Sequence, residues 1–170
     1  MEERIASCAC GRVRLRLTGR PIIAAVCYCD DCQAGARQLE AAGAPPSFHD
    51  PWYGSPYVTM RDDRLAVAEG ADRLAGHKLR DDAPTTRYLA TCCQTPMYLK
   101  HRPGWWTSVY RSALGADAPA LEMRSQVQHV ADPVDLPTDL PTYRSFPLTL
   151  IVRLMAARLA IGWRRAGPPA

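Results

Sequence analysis

The segment "VCYCDDCQ", Val26 to Gln33, sets three thiols, Cys27, Cys29 and Cys32, within six positions. Residues two apart on an extended chain project to the same side, and a third residue entering a helix one turn later swings back to meet them. A helix N-terminus also favours thiolate over thiol, the form that both ligates metal and attacks electrophiles. The flanks fit such a junction. "PIIAAVCYC" (21–29) is an apolar β-like run, and "DDCQAGARQLEAAG" (30–43) reads as a short helix with Asp30 as N-cap, Gln33 three residues on and Gly43 as its stop. Three protein ligands on a tetrahedral zinc leave the fourth position for water or substrate. No histidine lies within the motif; His49, His77, His101 and His129 are scattered singly and read as loop or surface residues.

The other four cysteines form two further clusters, Cys8 with Cys10 and Cys92 with Cys93. Together they could hold a structural zinc joining the chain's start to its middle. The adjacent pair is awkward, because neighbours on an extended chain point to opposite faces, so both sulfurs reach one ion only across a tight turn. Two blander readings compete: thiols packed as small apolar groups, and a redox pair in the C-x-x-C of Cys29 and Cys32. Clustering of seven cysteines argues against the first, and the extra Cys27 with no surrounding βαβ pattern against the second.

Working outward, "GRVRLRLTGRP" (11–21) alternates Val13, Leu15 and Leu17 with Arg12, Arg14 and Arg16, the period of a half-buried strand. Gly11 is expected to break that register and turn the first two sulfurs toward a metal at the strand's end. After a proline-rich loop (44–56), the runs "YVTM", "RLAVAEG", "LAGHKL", "TTRYLA", "MYLK" and "WWTSVYRSAL" read as short strands. Trp105, Trp106, Tyr110 and the "PWYGSPY" loop read as core before they read as pocket. Residues 132–143 are proline-broken coil, and "FPLTLIVRLMAARLAIGWRR" (146–165) is a helix candidate. The expected fold is mainly β, of short antiparallel strands, with a zinc-binding unit over 1–145 and a helical tail over 146–170.

The formal charge of +4 sits in the tail, where Arg153, Arg158, Arg164 and Arg165 meet no acidic residue, so the remaining chain is neutral and has no footprint for nucleic acid. Arginines interrupt the tail helix too often for a membrane span. Its expected uses are docking on the domain, pairing with a second subunit or lying on a membrane surface, in that order. The opening "MEERIASCACG" has no charged and then apolar leader, so a cytoplasmic, reducing setting is expected.

Set side by side, "SCACGRVRLRLTGRP" (7–21), "CYCDDCQ" (27–33), "RLAVAEGADRLAGHKL" (64–79), "TRYLATCCQTPMYL" (86–99) and "QHVADPVDLPTDLPTY" (128–143) give the chain a resemblance to the glutathione-dependent formaldehyde-activating enzyme family, which includes centromere protein V. The resemblance implies a zinc-stabilised β-tent with two metal sites. Cys8, Cys10 and Cys93 match structural ligands, with Cys92 standing in from a shifted position for the cysteine expected at Ala90. Cys27, Cys29 and Cys32 match the catalytic site near glutathione. The family's glycine after the last ligand is Gln94 here, and its small Ser/Thr-Gly segment after Cys32 is replaced by "AGARQLEAAGAPPSF". The implied activity is that of a carbon–sulfur lyase acting on a small thiol adduct such as S-hydroxymethylglutathione. The rival expectation is a non-catalytic zinc module that binds protein.

Overall fold

The computed structural model describes residues 2–102, 104–132 and 135–161. Ten strands follow in chain order: β1 (Glu3–Ser7), β2 (Arg14–Thr18), β3 (Ile23–Cys27), β4 (Ser55–Arg61), β5 (Leu65–Glu69), β6 (Leu74–His77), β7 (Thr85–Ala90), β8 (Thr95–His101), β9 (Trp106–Tyr110) and β10 (Met123–Ser125). Two α-helices, α1 (Asp30–Ala41) and α2 (Leu148–Ile161), accompany them. Strands β1, β2 and β5 make one antiparallel sheet; the other seven make a second, ordered β10-β3-β4-β9-β8-β7-β6.

This arrangement corrects the expected mainly β tent. The architecture is mixed α and β, and the large sheet is open, with β10 at one edge and β6 at the other. It is not purely antiparallel either, because β10 pairs with β3 in parallel, Ser125 opposite Cys27. The sequence reading passed over β1 and β10. β10 is only three residues long, and β1, ERIAS, shows no clean alternation of apolar and polar residues.

The period of two sorts the large sheet's side chains into two layers. Val58 and Met60 of β4, Met97 of β8 and Val109 of β9 meet Leu15 and Leu17 of β2 in a core between the sheets. On the opposite face Tyr57, Leu89, Leu99 and Tyr110 pack against Cys32, Ala36 and Leu39 of α1. Helix α2 lies on that same face, where Leu150 and Leu154 pack on Ile23, Ala25 and Met123.

Helix α1 departs from its expected start but keeps its stop. Cys29, extended at φ −60° and ψ 157°, is the N-cap, and Asp30 is the first helical residue. Gln33 spans the junction instead of closing a capping box: its Nε2 donates to the carbonyls of Tyr28 at 2.7 Å and His129 at 2.9 Å. At the other end Gly43 takes φ +96° and donates to Glu40, while Ala44 donates to Leu39 at 2.9 Å, a Schellman closure sealed by the buried pair Leu39 and Ala44.

Helix α2 is held by polar contacts as well as apolar ones. Arg153 donates to Glu122 at 2.6 Å, Trp105 Nε1 donates to the carbonyl of Leu154 at 2.9 Å, and the guanidinium of Arg158 lies 5.3 Å from the Trp105 ring centre. Residues 162–165 of the expected tail helix lie outside the described residues. No helix among the described residues is long and apolar enough to cross a membrane.

Candidate metal centre

One cysteine group sits at two turns that the sheets bring together, the other at a strand-to-helix junction. In the first group, "CAC" occupies the turn between β1 and β2. Gly11 adopts φ +74° there with open space around it, so glycine serves the backbone conformation and not a close approach. Val13 donates its N–H to Cys8 Sγ at 3.2 Å. The turn between β7 and β8 brings in Cys92 and Cys93, with Gln94 in the left-handed region at φ +55°. Thr95 ties the two turns together, accepting from the Ala9 N–H at 3.1 Å and meeting Cys93 Sγ at 3.1 Å.

Across this junction Cys8 Sγ lies 3.5 Å from Cys10 Sγ and 3.9 Å from Cys92 Sγ; Cys10 and Cys92 are 3.2 Å apart, and Cys92 and Cys93 are 3.9 Å apart. The tight turn therefore overcomes the opposite-face problem of adjacent residues. The shared protons divide unevenly. Bonding to Cys10 pushes Cys92 up to about 12. Burial alone would raise Cys93, but the Thr95 hydroxyl and the backbone amides of Cys10 and Thr95 bring it down to about 6.

The second group is the trio. Strand β3 delivers Cys27, the N-cap delivers Cys29, and the first turn of α1 delivers Cys32, with all three sulfurs within 4.8 Å of one another. The junction is anchored on both sides. Tyr28, fully buried, donates its hydroxyl to Asp50 at 2.5 Å and its backbone N–H to Ser125 at 3.0 Å. Cys29 acts as the thiolate of the three. Hydrogen bonds from Cys27 and Cys32, then the Cys32 backbone amide and the charge of Arg87, outweigh burial and hold it at about 3. Cys27 is pushed up to about 12 by its bond to Cys29, and Cys32 rises for the same reason together with burial.

Arg87 is the candidate site residue that the sequence reading missed. It is 1% exposed on β7, sharing an inward face with Thr85 and Leu89, and its Nη2 donates to the carbonyl of Asp31. Its Nε and Nη1 are buried without a hydrogen-bond partner. Burial works against its charge, while the Tyr57 and Tyr110 hydroxyls, Cys32 and Asp31 favour it. A buried guanidinium beside three sulfurs is a fixed counter-charge for anionic ligands. Gly35 makes room for it: a side chain there would put its Cβ 2.6 Å from Arg87 Cζ. The sequence offers only an arginine in an alternating strand, whose inward face the strand register decides.

A cavity of about 550 Å³ opens on the trio, running over the sheet from Cys27, Cys29, Cys32 and Arg87 to the apolar side chains of α2. Trp106 and His101 stand on its wall, whereas Tyr110 is buried in the core beside α1 and Trp105 lies against α2. Among the described residues no histidine joins either cysteine group. His101 meets Thr85 at 3.0 Å, His77 meets Gln38 at 3.1 Å, His49 stacks on Tyr53, and His129 pairs with Asp30 at 3.0 Å.

With this geometry in view, residues 3–47 match the family model described as glutathione-dependent formaldehyde-activating enzyme. The matched span includes Cys8, Cys10 and the trio, and ends before Cys92 and Cys93. A crystal structure of a Rhodobacter sphaeroides protein is similar, with a TM-score of 0.48 and 18% identity, over 81% of this chain and 98% of that one. No curated protein matches the chain.

Proposed function

We propose that this chain is a zinc-thiolate protein that makes or breaks a carbon–sulfur bond in a small thiol adduct, using the ion held by Cys27, Cys29 and Cys32. The observation that carries the reading is a three-sulfur group at the floor of a cavity, with no fourth side-chain ligand beside it among the described residues. The partial match to the formaldehyde-activating family over 3–47 supports the thiol chemistry. The donor set fits: zinc–sulfur bonds of about 2.3 Å separate tetrahedral sulfurs by about 3.8 Å, within the 4.8 Å that bounds the trio. In the other group the Cys8–Cys10, Cys8–Cys92, Cys10–Cys92 and Cys92–Cys93 separations of 3.2 to 3.9 Å bracket the same value, and all four sulfurs lie within 4.8 Å of one another. For Cys8, Cys10, Cys92 and Cys93 we favour a closed ion that braces the two turns.

A bound zinc supplies a Lewis acid that favours thiolate over thiol and polarises a carbonyl oxygen. In the forward direction a thiol sulfur bonds to an aldehyde carbon, the carbonyl π pair moves to oxygen, and the thiol proton ends on that oxygen. No oxidant or reductant is consumed. Arg87 offsets the excess negative charge of three thiolates around a divalent ion, and the Tyr57 hydroxyl stands 3.8 Å from Cys32 Sγ, bracing that ligand. The apolar wall keeps water from competing for the aldehyde.

Cobalt-substituted protein tests the reading. Millimolar 2-mercaptoethanol should shift the visible cobalt bands, and the protein should accelerate exchange of labelled formaldehyde with the S-hydroxymethyl adduct, both effects vanishing in Cys29→Ser. Unchanged bands and exchange in the loaded protein would leave a metal that only folds the chain.

A further inference from the structure

We propose that the cavity selects thiols with an apolar body, alkyl or aryl, over hydrophilic peptide thiols such as glutathione; this rests on the open trio site proposed above. Beyond the sulfurs much of the lining is hydrocarbon. Ile23, Ala25 and Leu99 of the sheet and Leu150, Ile151 and Leu154 of α2 all line it, with Leu150 and Leu154 packed on Ile23 and Ala25 at its edge.

Two pairs of polar side chains in the lining are engaged with one another and Ser125 with the backbone, while Asp31 and Gln126 line it as well. Thr59 meets Ser108 at 3.0 Å, Thr85 meets His101 at 3.0 Å, and Ser125 donates to the carbonyl of Val26 at 3.4 Å. Arg87 is closed off. Gly35 lies against its guanidinium, one terminal nitrogen donates to Asp31, and the other two nitrogens are sealed from solvent, so its charge acts on the sulfurs through the protein and not on a ligand's carboxylate by contact.

A peptide thiol entering this space would strip water from carboxylates, ammonium and amides and regain few hydrogen bonds, a loss that leaves polar groups unsatisfied. An alkyl or aryl thiol loses nothing of that kind and gains burial along α2. The cavity volume lies within the range of small-molecule sites. Selection thus falls to α2, an element outside the span that matches the formaldehyde-activating family.

The test titrates cobalt-loaded protein with ethanethiol, 1-butanethiol, 1-hexanethiol and glutathione and follows the cobalt bands. Affinity should rise by about fourfold per added methylene until the cavity is filled. 1-Hexanethiol should bind roughly tenfold or more tightly than glutathione. Ile151→Ser, on the cavity side of α2, should weaken 1-hexanethiol more than ethanethiol, and Val152→Ser, on the outer side, should change neither. Affinity independent of chain length, or glutathione binding as tightly as 1-hexanethiol, would overturn the proposal while sparing the open site. Bands that no thiol moves would overturn the open site, and the proposal with it.

Discussion

The chemistry of this chain turns on which residues must carry an unfavourable state. Cys29 is one, a thiolate among thiols, with an affinity for protons far below the ordinary thiol value of 9.0. A lowered pKa means that the anion persists as pH falls, so metal-free, reduced protein treated with iodoacetamide at pH 6 should be alkylated at Cys29 ahead of Cys27 and Cys32, whose raised values keep them as thiols. Peptide mapping checks the order, and equal labelling of the three would contradict the proton sharing described. Gln94 is another, holding φ +55° where a side chain is strained. Gln94→Gly should raise stability by about 1 kcal/mol in a denaturant titration; a loss of that size would mean that the glutamine side chain contributes more than its backbone costs. The three cysteine clusters were legible from spacing, whereas the meeting of Cys8 and Cys10 with Cys92 and Cys93 depended on the fold. Arg87 was not legible, since one arginine in an alternating strand looks outward until the register fixes its face.

Elements carry these residues through junctions. Cysteine is not a usual N-cap, which is why the sequence pointed to Asp30 one residue late. The C-terminal stop at Gly43 could be read, because a glycine after an apolar-periodic run has one common use. Between them Gly35 looks like a helix weakness, and intrinsic propensity would credit Gly35→Ala with about 1 kcal/mol of added stability. Its contact with the Arg87 guanidinium reverses the sign. We expect Gly35→Ala to lower the melting temperature and to weaken zinc at the trio against a chelator, with Arg87→Met giving the same loss of zinc retention and Arg87→Lys recovering part of it. A more stable Gly35→Ala protein with unchanged zinc retention would separate the arginine from the metal.

At the scale of the whole molecule, one face of the seven-stranded sheet is spent on the small sheet and the other on two helices with a cavity between them. Alternating strands were readable one by one, but their order was not, because a three-residue parallel edge strand and a helix returning across the sheet depend on contacts between residues about a hundred positions apart. Helix α2, in the tail that composition set apart, lines the cavity of the candidate site. Its outward side still exposes Leu148, Val152, Met155 and Leu159.

The most direct test of the central claim, that the sulfurs exist to hold ions, is metal analysis with X-ray absorption on protein purified reduced and zinc-replete. The account predicts about two zinc ions per chain, one with four sulfurs and one with three sulfurs and a lighter ligand. Zinc-free protein under those conditions, or a disulfide joining any two of Cys27, Cys29 and Cys32, would contradict it.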